Sequence, residues 1–330
     1  MKKNLLLITK IDTIRNLQSK LKKKYKILYL PNATLNKLNL ISKDEKNKIS
    51  AIFTNPNKTK IKLDRKVLNK FPNLEVICTA STGLVHIDLG LCKKKDIKLI
   101  SLTKDQRVLK NISSTAELAF LFMMLSARDV INSSKDVIKG NWDCEKFVGQ
   151  QINYLKIGVV GFGRLGKMFA NYAKTFGAKV YVYDPFIKNT DKYSGYYFVK
   201  SLKTIAKKVD IISLHVHVND QTKEMINKKF FSNCNHNIYV INTSRGEIIN
   251  DTDLLSFLKK NKKSKYLTDV LNDEINGLKN NPIFKALKNK NFKNQILITP
   301  HIGGMTDNAR YIAYHHAADK LINYHFNNDK

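Results

Sequence analysis

The stretch from Lys156 to Asp184 limits the fold more than any other part of the chain. A strand, a glycine-rich turn, a helix, a second strand and an acidic residue follow one another within it. Ile157-Gly158-Val159-Val160 is a short apolar run suited to a buried parallel strand, and it feeds Gly161-Phe162-Gly163-Arg164-Leu165-Gly166, the pattern G-x-G-x-x-G. Gly161 permits a tight turn, Gly163 lets the backbone approach a pyrophosphate with no Cβ in the way, and Gly166 lets the following helix pack close to the sheet. The free N–H groups around residues 165–168 lie at the positive dipole end of that helix and suit pyrophosphate oxygens. The next strand, Lys179-Val180-Tyr181-Val182-Tyr183, ends at Asp184, at about the separation where a carboxylate accepts hydrogen bonds from an adenosine ribose. That carboxylate repels a 2′-phosphate and so favours NAD over NADP, while Lys188 nearby pulls the other way. The glycine pattern by itself also arises in structural corners; its strand, helix and acidic strand end make the nucleotide reading the better one.

At 330 residues and 43% hydrophobic content the chain is long enough for two domains with a core each. Its four cysteines, Cys78, Cys92, Cys144 and Cys234, are scattered without a C-x-x-C pair, which suggests neither a metal site nor a disulfide framework and fits a reduced cytoplasm. The N-terminal apolar run is too short for a signal peptide and reads as a first strand. No stretch reads as a bilayer span, and the apolar run around residues 116–125, interrupted by Glu117, reads as a buried helix. The formal charge of +31 would point to nucleic acid if it were clustered. Only seven of the 58 basic side chains are arginine, however, and the lysines are spread over nearly every segment. Lysine alone is poor base-reading chemistry, so neither a specific nucleic-acid partner nor a membrane is expected.

Residues 1–112 alternate short apolar runs (5–8, 27–30, 51–54, 74–79 and 98–101) with lysine-rich amphipathic stretches, the pattern of an open α/β layer. A long apolar helix follows, with Ser113, Ser114 and Thr115 as candidate caps. Six strands are expected beyond it, near 157–160, 179–183, 210–214, 238–242, 266–269 and 296–299. Residues 113–302 are then the nucleotide unit, and residues 303–330, helical over 306–324, return to pack on the first domain.

Three strand ends in the second half carry chemistry. Arg245, in Asn242-Thr243-Ser244-Arg245-Gly246, can bind a carboxylate through two parallel hydrogen bonds. Glu274, with Asp273 as its rival, follows the strand ending near Asp269. His301 follows Thr299-Pro300. Beside a nicotinamide the three form a coherent set for reducing a 2-oxo acid: an imidazolium donates a proton to the carbonyl oxygen, a carboxylate favours the charged imidazolium, and the arginine fixes the substrate carboxylate.

The ordered series of motifs resembles the D-isomer-specific 2-hydroxyacid dehydrogenases, the family of 3-phosphoglycerate, glycerate and D-lactate dehydrogenases. It comprises Ser81-Thr82-Gly83-Leu84-Val85-His86-Ile87-Asp88, Ser114-Thr115-Ala116-Glu117-Leu118, Gly140-Asn141-Trp142, residues 161–166, Ser213-Leu214-His215, residues 242–246, Asp269 with Glu274, and Thr299-Pro300-His301-Ile302-Gly303-Gly304. The resemblance implies two open parallel-sheet α/β domains, a Rossmann-type NAD-binding domain inserted into a flavodoxin-like substrate domain, with the active site between them, and a homodimer. It assigns catalysis to Arg245, Glu274 and His301, and cofactor binding to Gly161, Gly163, Arg164, Leu165, Gly166, Asp184, His215, Thr243 and Asp269. Backbone N–H groups of Ser81, Thr82 and Gly83, together with Arg245, hold the substrate. Glu274 is favoured over Asp273 because the family glutamate stands five residues after its aspartate. The chain departs from the family pattern at Ile275 and His217, where proline is frequent, and in the loop 102–112, which puts the identity of the substrate in question. Tyr193, Tyr196 and Tyr197 are candidates for the adenine side or for surface packing. The implied function is NAD-dependent interconversion of a D-2-hydroxy acid and its 2-oxo acid, with phosphoglycerate dehydrogenase as one option. An NAD(H)-sensing binding protein resembling a corepressor of the same fold is the alternative.

Overall fold

Short apolar runs separated by amphipathic helices can share a sheet as parallel strands joined by crossovers. The computed structural model, which describes residues 2–56, 61–234, 237–274, 277–292 and 294–327, shows two such sheets. The chain divides into two compact units, one formed by Met1–Ile112 with Met305–Lys330, the other by Ser113–Gly304.

The first unit contains β1 (Lys3–Leu7), β2 (Tyr25–Tyr29), β3 (Ile49–Thr54), β4 (Val76–Thr79) and β5 (Lys98–Ile100), all parallel, in the order β2-β1-β3-β4-β5. This flavodoxin-like order reverses between β1 and β3, the switch point where such sheets place ligands. Alternation along β1 serves two cores: Leu5 and Leu7 join one cluster, Leu6 and Ile8 the other. The helix Asp307–Phe326 closes the first of these with Ala313, Ala317 and Leu321, and the Tyr25 hydroxyl donates to the Leu321 carbonyl at 3.0 Å.

In the second unit β6 (Lys156–Val160), β7 (Lys179–Tyr183), β8 (Tyr197–Phe198), β9 (Ile211–Leu214), β10 (Tyr239–Asn242), β11 (Lys265–Thr268) and β12 (Ile296–Ile298) pair in the order β12-β11-β10-β9-β6-β7-β8. Counted from β6, this is the Rossmann order with one strand added beside the sixth. β8 is absent from the sequence reading because two residues carry no period; Tyr197 is held by stacking on Tyr181, ring centroids 5.2 Å apart. The helices Ser114–Arg128 and Arg164–Thr175 cover one face through Ala116, Ala119, Phe122, Phe169 and Ala170. Leu202–Lys208 and Asp251–Lys260 cover the other through Ile205 and Leu254.

Two expectations need correction. By length and composition Gln106–Arg128 is apolar enough to cross a membrane, which the sequence reading denied to every stretch. In the fold it is two helices, Gln106–Leu109 and Ser114–Arg128, and Ala116, Ala119 and Met123 of the second are fully buried in the protein core. Ser113 occupies the cap position of that second helix without capping it, because its hydroxyl donates to the Glu117 carboxylate at 2.5 Å.

Candidate active site

Strand register assembles the site. Val160 is level with Tyr183 and Leu214, Leu214 with Asn242, Asn242 with Thr268, and Thr268 with Ile298. The next residues on these strands are Gly161, Asp184, His215, Thr243, Asp269 and Thr299, so the sheet itself sets them in one row along its C-terminal edge, where open α/β sheets bind ligands. Backbone bonds from Gly161 N to Tyr183 O at 2.9 Å and from His215 N to Val160 O at 2.7 Å extend the ladder into the row.

At the glycine turn, Gly161 has φ +89°, and a Cβ there would stand 2.6 Å from the His215 carbonyl oxygen. A Cβ on Gly166 would stand 2.0 Å from the Gly161 carbonyl oxygen, so helix and turn touch backbone to backbone. Gly163 differs: nothing lies within 4 Å of its Cβ position, and as cap residue of Arg164–Thr175 it offers no side chain to the first N–H groups. Arg164 and Leu165, half-buried, begin that helix. The turn therefore has two glycines that steric contact demands and one facing open space beside uncapped amides, which fits a phosphate group. Asp184 is half-exposed, and its two oxygens accept from Phe162 N at 2.8 Å and Phe186 N at 3.0 Å. Tyr193 and Tyr196 pack their rings on Phe162, with centroids 5.2 and 5.3 Å away, which places them in a surface aromatic cluster. His215 Nε2 lies 2.9 Å from the Ser213 hydroxyl, and burial pushes the imidazole down to about 3, so it stays neutral. Thr243 is buried, and its Oγ1 has no hydrogen-bond partner among the described residues. His217 is exposed, and its carbonyl accepts from the Thr222 hydroxyl.

The three proposed catalytic side chains come from successive strand ends. Arg245 follows β10 in extended conformation; Nη1 donates to the Ser244 carbonyl at 2.6 Å, and Asn242 Nδ2 holds the Arg245 carbonyl at 2.8 Å. A Cβ on Gly246 would stand 2.2 Å from Asn272 N, so the β10 and β11 loops meet backbone to backbone there. Glu274 Oε1 accepts from Leu271 N at 2.8 Å, and Oε2 lies 2.6 Å from His301 Nδ1. That contact orients the ring and turns Nε2 away from the carboxylate. Asp273 and His301 hold φ of +58° and +55°, left-handed conformations that cost non-glycine residues about 1–3 kcal/mol each. Ile275, the departure beside Glu274, lies outside the described residues. No hydrogen bond joins Arg245 to Glu274 or His301 among the described residues.

Asp269 sits beneath the histidine loop. Its carboxylate, 2% exposed, accepts from the Thr299 hydroxyl at 2.5 Å, from Ile302 N at 2.7 Å and from Gly303 N at 2.7 Å. Burial raises its pKa while these donors and the nearby His301 oppose the rise. Both oxygens are thus committed to the loop that carries His301. Thr299 and Ser213 stand in the motifs quoted above but carried no role there; their place beside the strand ends was the signal that could have given them one.

Ser81, Thr82 and Gly83 lie in the first unit, in the loop that leaves β4. The Ser81 hydroxyl donates to the Gly83 carbonyl at 2.7 Å. The 102–112 segment supports this loop through Leu102 N to Ser81 O at 3.1 Å and the Thr103 hydroxyl to Thr82 O at 3.2 Å. It is anchored in turn by Lys320, which donates to Asp105 at 2.8 Å.

The family model described as D-isomer specific 2-hydroxyacid dehydrogenase, NAD binding domain, matches residues 120–303. The D-3-phosphoglycerate dehydrogenase of Methanocaldococcus jannaschii is 28% identical over 253 residues, 76% of this chain and 46% of that enzyme. The chain therefore spans about half the length of that relative. The glyoxylate reductase of Thermococcus litoralis is 32% identical over 257 residues, 76% of this chain and 73% of the relative. Among solved structures, the D-lactate dehydrogenase from Aquifex aeolicus complexed with NAD and lactic acid superposes with a TM-score of 0.80 at 28% identity, covering 98% of this chain and 95% of that one.

Proposed function

Because the chain belongs to the D-isomer specific 2-hydroxyacid dehydrogenase family, we propose that it interconverts a D-2-hydroxy acid and its 2-oxo acid with NAD. The contact of His301 Nδ1 with Glu274 Oε2 at 2.6 Å carries this reading, since it gives a histidine at a strand end a fixed ring and a carboxylate partner. When bound, NAD supplies or accepts the hydride. The uncapped amides behind Gly163 would hold its phosphates and Asp184 its adenosine ribose, with His215 and Thr243 in the same row as further cofactor-binding residues. Arg245 pairs with the substrate carboxylate through its free guanidinium edge, and the N–H groups of residues 81–83 are the first unit's candidate donors for substrate. His301 Nε2 donates the proton to the carbonyl oxygen during reduction and takes it back during oxidation. Glu274 keeps the ring oriented through both directions. Asp269 acts through the loop, holding residues 299–303 so that His301 keeps its strained backbone.

A phosphoglycerate dehydrogenase-like substrate and a cytoplasmic homodimer belong to this proposal. The large apolar side chains of Ile138, Trp142, Val148 and Tyr154 are 78–90% exposed, which supports a protein contact on that segment. NAD(H) sensing without turnover finds less support, because each relative reported above carries an enzyme's name. Loss of NADH absorbance with glyoxylate, hydroxypyruvate, pyruvate and phosphohydroxypyruvate, with His301→Ala as control, tests the reading. Turnover abolished in the control is expected; tight NADH binding with no turnover of any such acid overturns it.

A further inference from the structure

On the first sheet's C-terminal side, the segment leaving β1 and the start of the helix Asp307–Phe326 enclose a hollow of about 550 Å3 lined by Thr13, Arg15, Asn16, Asp307, Arg310 and Tyr311 among others. Its walls are fixed to each other. His315 Nε2 donates to the Arg15 carbonyl at 2.8 Å, Lys20 pairs with Asp319 at 2.6 Å, and the Thr9 and Tyr314 hydroxyls stand 3.2 Å apart. Three observations give the hollow a preference for negative charge. Arg15 and Arg310 outnumber Asp307 among the residues that line it. Arg310 Nε is buried and finds no acceptor among the described residues, a desolvation cost that an acceptor in the hollow would remove. The helix Leu17–Lys24 also starts at the hollow, and its cap residue Asn16, at φ +60°, gives its first N–H groups no side-chain acceptor.

We propose that this hollow is an oxyanion site for a phosphate or carboxylate group, supplied by the substrate as a second anionic group far from its reacting carbon. β1 and β4 are separated by β3 alone, so the segments that leave them, one toward the hollow and one forming the loop of residues 81–83, start two strand spacings apart, about 10 Å, along one edge. An acid held by its carboxylate on that loop would direct its distal end toward Arg15 and Arg310. The assignment to substrate rests on the dehydrogenase reading; the oxyanion site itself does not.

Titration calorimetry of the full chain with inorganic phosphate tests the site. Wild-type protein is expected to bind, and Arg310→Gln and Arg15→Gln each to weaken binding about tenfold, with Arg310→Lys recovering part of the loss. Arg15 is exposed, so its variant keeps the test open if the Arg310 variants fold poorly. Absence of phosphate binding by wild type, or binding unchanged in both glutamine variants, overturns the site. The ratio of KM for phosphohydroxypyruvate to KM for glyoxylate then separates the sources: a rise of about tenfold in the variants places the substrate's distal group in the hollow. An unchanged ratio with weakened phosphate binding overturns the substrate assignment and gives the site to a free anion. Failure of wild type to turn over any acid removes the dehydrogenase reading, while the calorimetry still decides the site.

Discussion

Two aspartates stand at equivalent positions toward opposite ends of one sheet edge, and they differ in nearly everything else. Asp184 follows β7 and Asp269 follows β11, each one residue past the same register row. Asp184 is half-exposed and takes one backbone N–H on each oxygen, leaving acceptor capacity toward solvent. Asp269 is buried, and the loop after β12 closes over it with a hydroxyl and two amides. Register supplies a strand-end residue with its location, and the neighbouring loop decides whether it meets a ligand or holds the protein together. The β6–β7 end stays open because the glycine turn gives Asp184 a single amide, from Phe162, and leaves the carboxylate half-exposed; the β11–β12 end is shut by its own loop.

Removing the carboxylate from the closed end should have the largest effect. Asp269→Ala leaves three donors without an acceptor, and at about 1–3 kcal/mol for each unsatisfied group the second unit should lose about 3–9 kcal/mol. Urea unfolding with an unchanged m-value measures that loss. A loss under about 1 kcal/mol would mean that water replaces the carboxylate and that the two ends differ less than their hydrogen bonds suggest.

Between the ends stands His215, and acid should separate its contribution from that of Asp269. With the folded imidazole pushed down to about 3, the unfolded chain takes up a proton near pH 6.5 while the fold does not. Stability is complete above that pH and falls as the solution is acidified, by about 1.4 kcal/mol per pH unit, or about 2 kcal/mol by pH 5. His86 of the first unit, lowered to about 4 by burial, acts in the same direction. Asp269 acts in the opposite one, since burial raises its carboxyl and the fold then binds a proton before the unfolded chain does. Thermal unfolding between pH 7 and pH 5 should show His215→Asn with the flatter decline. Identical slopes would show that the fold protonates His215 and that the middle of the edge is wetter than its burial implies.

Most of the row was legible in the sequence because the apolar runs stop at polar residues at or just before the row, at Asp184, His215, Asn242–Thr243 and Thr268–Asp269. Hydrophobic period marks the strands, and parallel pairing then leaves little freedom in how their ends align. The partners of those residues were not legible. Asp269 meets Gly303 across 34 positions, and Thr299 meets it across 30, contacts that no local pattern announces. Arg15 and Arg310 lie in segments that the closing helix alone brings together. Two-residue β8 carries no period at all, and the turn between the two helical pieces of Gln106–Arg128 is hidden in a sequence that stays apolar on average.

At the open end a smaller and more selective effect is expected. Asp184→Asn keeps the shape and leaves the Phe162 and Phe186 amides within reach of an acceptor or of solvent, while removing the charge that repels a 2′-phosphate. The ratio of kcat/KM with NADPH to that with NADH should rise about tenfold, a difference of about 1.4 kcal/mol. An unmoved ratio would leave Asp184 as a turn-holding residue like Asp269 and would erase the functional half of the comparison.

The smallest change in stability should come from Gly163→Ala, and its value lies in that smallness. The residue has φ −74°, which any amino acid adopts, and its Cβ position meets nothing within 4 Å, so unfolding should shift by no more than about 0.5 kcal/mol. The same methyl on Gly166 would enter the Gly161 carbonyl at 2.0 Å, and that variant should fold poorly. A ligand is what gives the open space at Gly163 its meaning: a phosphate drawn to the amides behind it would meet the added methyl, so NADH affinity should fall several-fold while the melting temperature holds. If fluorescence titration shows NADH binding as tightly to Gly163→Ala as to wild type, the phosphates pass elsewhere, and the open end of the edge has no ligand to explain why it stays open while the β11 end is closed.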